Sequence, residues 1–319
     1  MDRREPHQDA DDLTFVHASV LVTGGSGLLG VNWAVTMRNR VQVTLAMHGR
    51  TVQIPGVRSV ALDLADEDAV RRQVEALGVQ LVVHAAGLTS VEACEADPTF
   101  ARHVNVEIAA TVARACARAG VALAHISTDH LFGGARAMIT ESDPVTPTNV
   151  YGRTKAEAEG RVLDAMPEAL VVRTNFYGWG PRYRRSFSDH ILDTVRGSGQ
   201  ITLFHDVTYC PILAQPLIEA IHALAARGAR GICHVVGDEA MTKLEFGTRL
   251  LRRFGLPESA IIPCSIADKP GLVQRPLQMG LSNARATQLL GRRIGGPDEH
   301  LDLLWRLERS AATADILNL

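Results

Sequence analysis

The sequence predicts an α/β fold: a doubly wound parallel sheet with a smaller, discontinuous C-terminal substrate domain. Three observations lead there. Short, continuously apolar, β-branched runs alternate with longer helical stretches through the first half of the chain, the pattern of parallel strands covered on both faces. A glycine-rich turn, VLVTGGSGLLG, follows the first run and opens the first helical stretch. Beyond about residue 176 the alternation gives way to Pro- and Gly-rich segments, GWGPRYRR, RGSGQ and YCPILAQP, set between isolated helices.

The elements follow in order. ASVLVTG (18–24) reads as the first strand and leads into a helix from about Leu28 to Arg38, then the strands VQVTLAM (41–47) and RSVALDL (58–64). A helix near 66–77 leads to LVVHAAG (81–87), a long helix over about 98–119 to VALAHIST (121–128), and a helix from about Val150 to Met166 to LVVRTNF (170–176). Helices near 187–196 and 214–226 precede a strand at GICHVVG (231–237). These elements assign residues 18–176 with about 205–237 to a dinucleotide-binding domain, and about 177–204 with 238–319 to a substrate domain. Residues 1–17 read as a flexible tail. Ligands of such folds bind beyond the carboxyl ends of the strands, here in the cleft between the domains.

At 319 residues and 46% hydrophobic content, the chain can bury a large core. A formal net charge of -2, with acids and bases mixed throughout, leaves no footprint for nucleic acid or an anionic membrane. No apolar run approaches the roughly 20 residues of a membrane span, and MDRREPHQDADDL lacks an apolar leader core; the expectation is a cytoplasmic protein. The five cysteines (Cys94, Cys116, Cys210, Cys233, Cys264) are scattered without a C-x-x-C pair, so they read as reduced, space-filling thiols rather than metal ligands.

Gly24, Gly27 and Gly30 stand between a strand and a helix that begins with Leu28 and Leu29. Glycine lets the backbone approach a pyrophosphate, and the free N–H groups of the helix start point at the anion, which is the dinucleotide (Rossmann) fingerprint in its proper context. The second strand ends Ala46-Met47-His48-Gly49-Arg50, with no carboxylate to hold a ribose 2′-hydroxyl. Arg50 with His48 suits a 2′-phosphate instead, so NADPH is the preferred cofactor, with NADH also admitted. Asp63 and Leu64 after the third strand fall beside the adenine, and Ala85, Ala86 and Gly87 after the fourth let the backbone pass close to the cofactor.

In VYGRTKAEAE, Tyr151 and Lys155 lie four residues apart and share one helix face. A phenol of pKa near 10 is a poor acid-base group at neutral pH, and the expectation is that the ammonium lowers it. Thr128 closes a parallel strand between the glycine loop and this pair.

With LVTGGSGLLG, HAAGLTSVEACEADP and its following HVN, ISTDHLFGG, VTPTNVYGRTKAEAE, VVRTNFYG and, more weakly, FHDVTYCPI and RPLQMGLSNARATQLLG, the chain resembles the extended short-chain dehydrogenase/reductases. Within them it is most similar to dTDP-4-dehydrorhamnose reductases, from about residue 18 to 290. The resemblance implies reduction of a nucleotide-activated 4-keto-6-deoxy sugar. In it Tyr151 protonates the ketone oxygen, Lys155 holds the nicotinamide ribose, and Thr128 donates a hydrogen bond to the same oxygen. Asn105 is a structural asparagine, and Thr89, Val91, Asp129, His130, Asn175 and Phe176 are expected along the sugar-nucleotide pocket. Arg275 with Pro276 serves structure or a substrate phosphate, and Asp206 and Pro211 keep places in a polar motif. A homodimer is an admissible assembly.

Two positions depart from the pattern. His130 occupies the place of a dehydratase glutamate and of a reductase tyrosine, and Phe176 that of a reductase tryptophan. His130 is therefore expected as a pocket wall that helps to choose the substrate, with Asp129 as support. Two alternatives stay open: a nucleotide-sugar epimerase of the same family, and a non-catalytic subunit resembling the regulatory subunit of methionine adenosyltransferase.

Overall fold

The computed structural model describes residues 17–134 and 138–319. The expected tail, apart from His17, lies outside the described residues. The strands β1 (Ser19–Thr23), β2 (Gln42–Met47), β3 (Arg58–Ala61), β4 (Leu81–His84), β5 (Ala122–Ile126) and β6 (Leu170–Arg173) come first. The short strands β7 (Phe176–Tyr177), β8 (Ile201–Phe204), β9 (Thr208–Tyr209) and β10 (Ile212–Leu213) precede β11 (Gly231–His234). Seven of these form one sheet in the order β11-β6-β5-β4-β1-β2-β3, with every neighbouring pair parallel. The order reverses between β1 and β4, which opens a crevice at their carboxyl ends.

Alternate residues of each central strand enter opposite apolar layers, as the period of two requires. Val20 and Val22 of β1, with Leu81 and Val83 of β4, join the layer that contains α1 (Leu28–Met37). Leu21 and Val82 join the other, formed with α2 (Glu67–Leu77) and the helices beyond it. Burying each such side chain contributes about 1.5–3 kcal/mol, so a strand without polar alternation is stable only between two helical layers. The α2 boundaries follow from caps: Asp66 accepts from the backbone N–H of Ala69, and Gly78 ends the helix in the left-handed region.

The long helix expected over 98–119 is interrupted. After α3 (Val91–Ala96), a short helix not anticipated from sequence, come α4 (Pro98–Arg102), a single π-helical turn at His103–Glu107, and α5 (Ile108–Ala119). The π turn admits one extra residue and swings Asn105 inward. Its Oδ1 accepts from Leu88 N at 2.8 Å, and its Nδ2 donates to Leu88 O at 3.1 Å and to Thr154 Oγ1 at 3.0 Å. Asn105 thus ties the loop after β4 to α6 (Val150–Ala165), in the structural role the resemblance implied.

Opposite that layer, α8 (Ala214–Ala226) packs on α1. Trp33 of α1 is fully buried there and donates from Nε1 to His222 Nε2 at 3.0 Å. Around α7 (Phe187–Arg196) and α9 (Lys243–Arg253) the chain builds small sheets. β7 pairs with β10; β9 lies between β12 (Met241–Thr242) and β14 (Gln278–Met279); β8 pairs with β13 (Ile261–Cys264). Phe246 of α9 is fully buried among the rings of Tyr177, Phe187 and Tyr209. Among the described residues no helix is long and apolar enough to cross a membrane. Cys94, Cys116, Cys210 and Cys233 are buried free thiols.

Candidate active site

The strands β4, β5 and β6 end two or three residues earlier than their expected runs, and the released residues form one wall of a cleft of about 530 Å³. Gly24 follows β1 with φ +68°, and a Cβ there would stand 2.9 Å from the Cα and N of Ala86. Only glycine allows this turn against the backbone after β4. Helix α1 follows its N-cap Gly27 with no side-chain cap, and its first residues line the cleft, where the N–H groups of a helix start suit an anion. A cradle that a Cβ would fill, beside an uncapped helix start, fits a dinucleotide pyrophosphate. Gly24→Ala should weaken NADPH binding about tenfold or more, because a Cβ 2.9 Å from the Ala86 backbone displaces the turn that would receive the pyrophosphate. Calorimetric titration of the folded variant checks this.

Gly24, Gly27, Leu28, Leu29 and Gly30 line the cleft together with Ala85, Ala86, Gly87, Thr89 and Val91. Facing them are Thr128, Asp129, His130, Tyr151, Lys155, Asn175 and Phe176. Four expected cofactor residues stand outside it. His48 and Arg50 are exposed, and the Arg50 guanidinium lies 4.1 Å over the ring of Tyr183, whose hydroxyl donates to Ser26 O at 3.0 Å. Asp63 is exposed and accepts from Ala65 N at 2.9 Å. Leu64 is buried in the core layer beneath α2.

The end of β5 is a hydrogen-bonded shelf. Thr128 is buried and its Oγ1 accepts from His130 N and donates to Asp129 Oδ1, each at 3.3 Å. Asp129 Oδ2 accepts from Asn175 Nδ2 at 2.6 Å, which joins the ends of β5 and β6. Asp129 therefore supports the shelf.

Helix α6 starts at Asn149, whose Oδ1 accepts from Gly152 N at 2.8 Å and whose Nδ2 donates to Gln274 O at 2.9 Å. A Cβ on Gly152 would collide with His130 O, so the absence of a side chain lets α6 lie hard against the shelf. Tyr151 is thereby set edge-on to His130, with ring centroids 5.6 Å apart. Burial pushes the Tyr151 phenol up to about 12, and a hydrogen bond with Thr128 offsets part of the rise. Lys155 donates to Ile126 O at 2.7 Å and stands 3.5 Å from His125 Nε2. Burial lowers its ammonium to about 8, against the opposing pull of Glu159.

The expected lowering of the phenol by Lys155 is thus corrected. The two side chains share a helix face, yet the lysine turns to the end of β5 and desolvation dominates both groups. His130 is also held below its usual value, first by burial, and forms a neutral ring in the wall.

The wall across from the shelf carries Arg184, Arg185, Ser186 and Phe187, which sequence reasoning missed. Arg184 Nη2 donates to Thr89 Oγ1 at 2.8 Å. The signal was the cation run PRYRR ending at Ser186, the N-cap of a capping box completed by Asp189. Past His130 and Phe187 lies a smaller cavity of about 220 Å³ whose lining includes Lys243 and Arg275. Arg275 Nη2 donates to Glu92 Oε1 at 2.5 Å, and Asp206 accepts from Ser265 Oγ and Ile266 N.

The family described as the RmlD substrate binding domain matches residues 18–302. The chain is 30% identical over 297 residues to a dTDP-4-dehydrorhamnose reductase of Mycolicibacterium smegmatis, covering 89% of this chain and 86% of that one. It is 30% identical over 290 residues to the methionine adenosyltransferase 2 subunit beta of Danio rerio, covering 89% and 88%. The crystal structure of a dTDP-4-dehydrorhamnose reductase from Bacillus anthracis in complex with NADP has the same fold, with a TM-score of 0.80, 21% identity and coverage of 91% and 99%.

Proposed function

The chain belongs to the RmlD substrate binding domain family, and from that premise we propose that it is an NADP-preferring reductase of a nucleotide-activated 4-keto-6-deoxy sugar, acting in the cytoplasm. The observation that carries the reading is the convergence of Thr128 and Tyr151 across one cleft from an uncapped, glycine-lined helix start. Bound NADPH supplies hydride to the ketone carbon. The residues do the rest: Thr128 and Tyr151 hold the ketone oxygen, and Tyr151, neutral through the physiological range, gives it a proton as alkoxide charge develops. Lys155 holds the nicotinamide ribose. Residues 18–176 with about 205–237 take the dinucleotide, and about 177–204 with 238–319 take the sugar nucleotide. Arg184, Arg185, Lys243 and Arg275 border the space left for its diphosphate.

Purified protein incubated with NADPH and dTDP-4-keto-6-deoxy sugars should consume the cofactor, followed by absorbance. No oxidation across a panel of nucleotide ketosugars, by protein that binds NADPH, overturns the reading. Arg50 is assigned to the 2′-phosphate, so Arg50→Ala should reduce the preference for NADPH over NADH about tenfold, the scale of one lost charged hydrogen bond. Paired binding titrations with the two cofactors check it.

A second reading, a regulatory subunit without turnover, is favoured by the likeness to methionine adenosyltransferase 2 subunit beta. The ketosugar assay separates the two.

A further inference from the structure

Two buried histidines lie beside Lys155, and the chemistry above uses neither. His84 ends β4 and His125 stands in β5, paired in register. Each is 1% exposed, and their rings stack with centroids 5.4 Å and planes 21° apart. Burial first, then the charge of Lys155, holds both imidazoles far below their usual range, so both are neutral.

The partners determine which nitrogen carries each proton. The Thr23 hydroxyl accepts from Ala85 N and Ala86 N, each at 3.2 Å, so its own proton goes to His84 Nδ1 at 2.9 Å. His84 is then protonated on Nε2. His125 Nε2 faces Lys155 Nζ at 3.5 Å, and an ammonium only donates, so the proton of His125 sits on Nδ1. The two N–H groups that result, His84 Nε2 and His125 Nδ1, are buried without a hydrogen-bond partner among the described residues. Buried unpaired donors cost stability. Two aliphatic side chains would serve the core better, so packing alone does not account for the pair.

Resting on the reductase reading, we propose that His125, braced by His84, is a positioning residue: its Nε2 and Ile126 O together hold the Lys155 ammonium at the end of β5. Through the stacked ring of His84 and the Thr23 hydroxyl, the same unit reaches the backbone of Ala85 and Ala86, against which Gly24 turns. Other charged or titratable groups around Lys155 are engaged elsewhere. On α6, Tyr151 meets Thr128, and Glu159 accepts from Arg173 of β6 and from Ser127. Asp129, after β5, accepts from Asn175.

The test compares His125→Gln, whose amide oxygen extends as far as Nε2, with His125→Asn and His125→Leu, which offer no acceptor at that reach. NADPH affinity is titrated against pH for each folded variant. In the unsubstituted protein, affinity should fall as pH rises through the lysine value of about 8. Loss of an acceptor disfavours the charged ammonium, so in the Asn and Leu variants the midpoint should move down by about one pH unit, tenfold in proton affinity. The Gln variant should restore it. An unchanged midpoint in the Asn or Leu variant, equal shifts in all three, or no inflection in the unsubstituted protein overturns the proposal. Failure of the reductase reading looks different: NADPH binds with the expected midpoint, yet no ketosugar is reduced.

Discussion

Replacing Tyr151 with Phe should lower turnover about 10²–10⁴-fold, the usual contribution of a positioned proton donor, while NADPH binding and the unfolding temperature change little. The substitution removes one oxygen and leaves the ring that packs edge-on against His130. In the intact protein the phenol keeps its proton to about pH 12, so the donor form is present throughout the neutral range. The alkaline limb of activity should therefore follow Lys155, whose ammonium is lost as pH rises through about 8. Turnover of Tyr151→Phe equal to that of the unsubstituted protein would remove the tyrosine from the chemistry. Unaltered partner binding by this variant is what the regulatory reading requires.

Replacing Glu159 with Leu should destabilise the protein by about 3–5 kcal/mol, the cost of leaving a buried charge unpaired. Glu159 of α6 and Arg173 of β6 meet at 2.7 Å with side chains 5% and 3% exposed. The pair is bidentate, since Arg173 Nε also donates to Glu159 Oε1 at 2.9 Å. Ser127 Oγ donates to the same oxygen at 2.5 Å, so Arg173 of β6 and Ser127 beyond β5 lose the acceptor they share. Urea unfolding followed by circular dichroism measures the loss. The double variant Glu159→Leu, Arg173→Met should recover most of it, because no stranded charge remains. If the single and double variants are equally destabilised, the damage lies in packing and not in the charge.

The fold was legible because its signals are local. Uninterrupted apolar runs such as LVVHAAG and LVVRTNF announce strands buried on both faces, and the glycine turn between strand and helix announces a dinucleotide loop. Among the features that escaped are two in the first half of the chain. The π turn at His103–Glu107 has no periodicity of its own within a strongly helical stretch, and it is decided by the three hydrogen bonds that Asn105 makes to Leu88 and Thr154. The short helix α3 was hidden because six residues between loops carry too few turns for a pattern.

The site divides in the same way. Sequence spacing put Tyr151 and Lys155 on one helix face and placed Thr128 at a strand end, since these depend only on the rise and period of regular elements. His130 was marked by the family resemblance, which leads one to expect a glutamate or a tyrosine there. Tertiary structure alone decided that Lys155 turns to Ile126 and His125, that burial lifts the phenol of Tyr151, that Asn175 is the partner of Asp129, and that Arg184 to Phe187 close the far wall. Charge, protonation and partner choice follow from desolvation and from groups distant in the chain. Neither is written in the spacing of one segment.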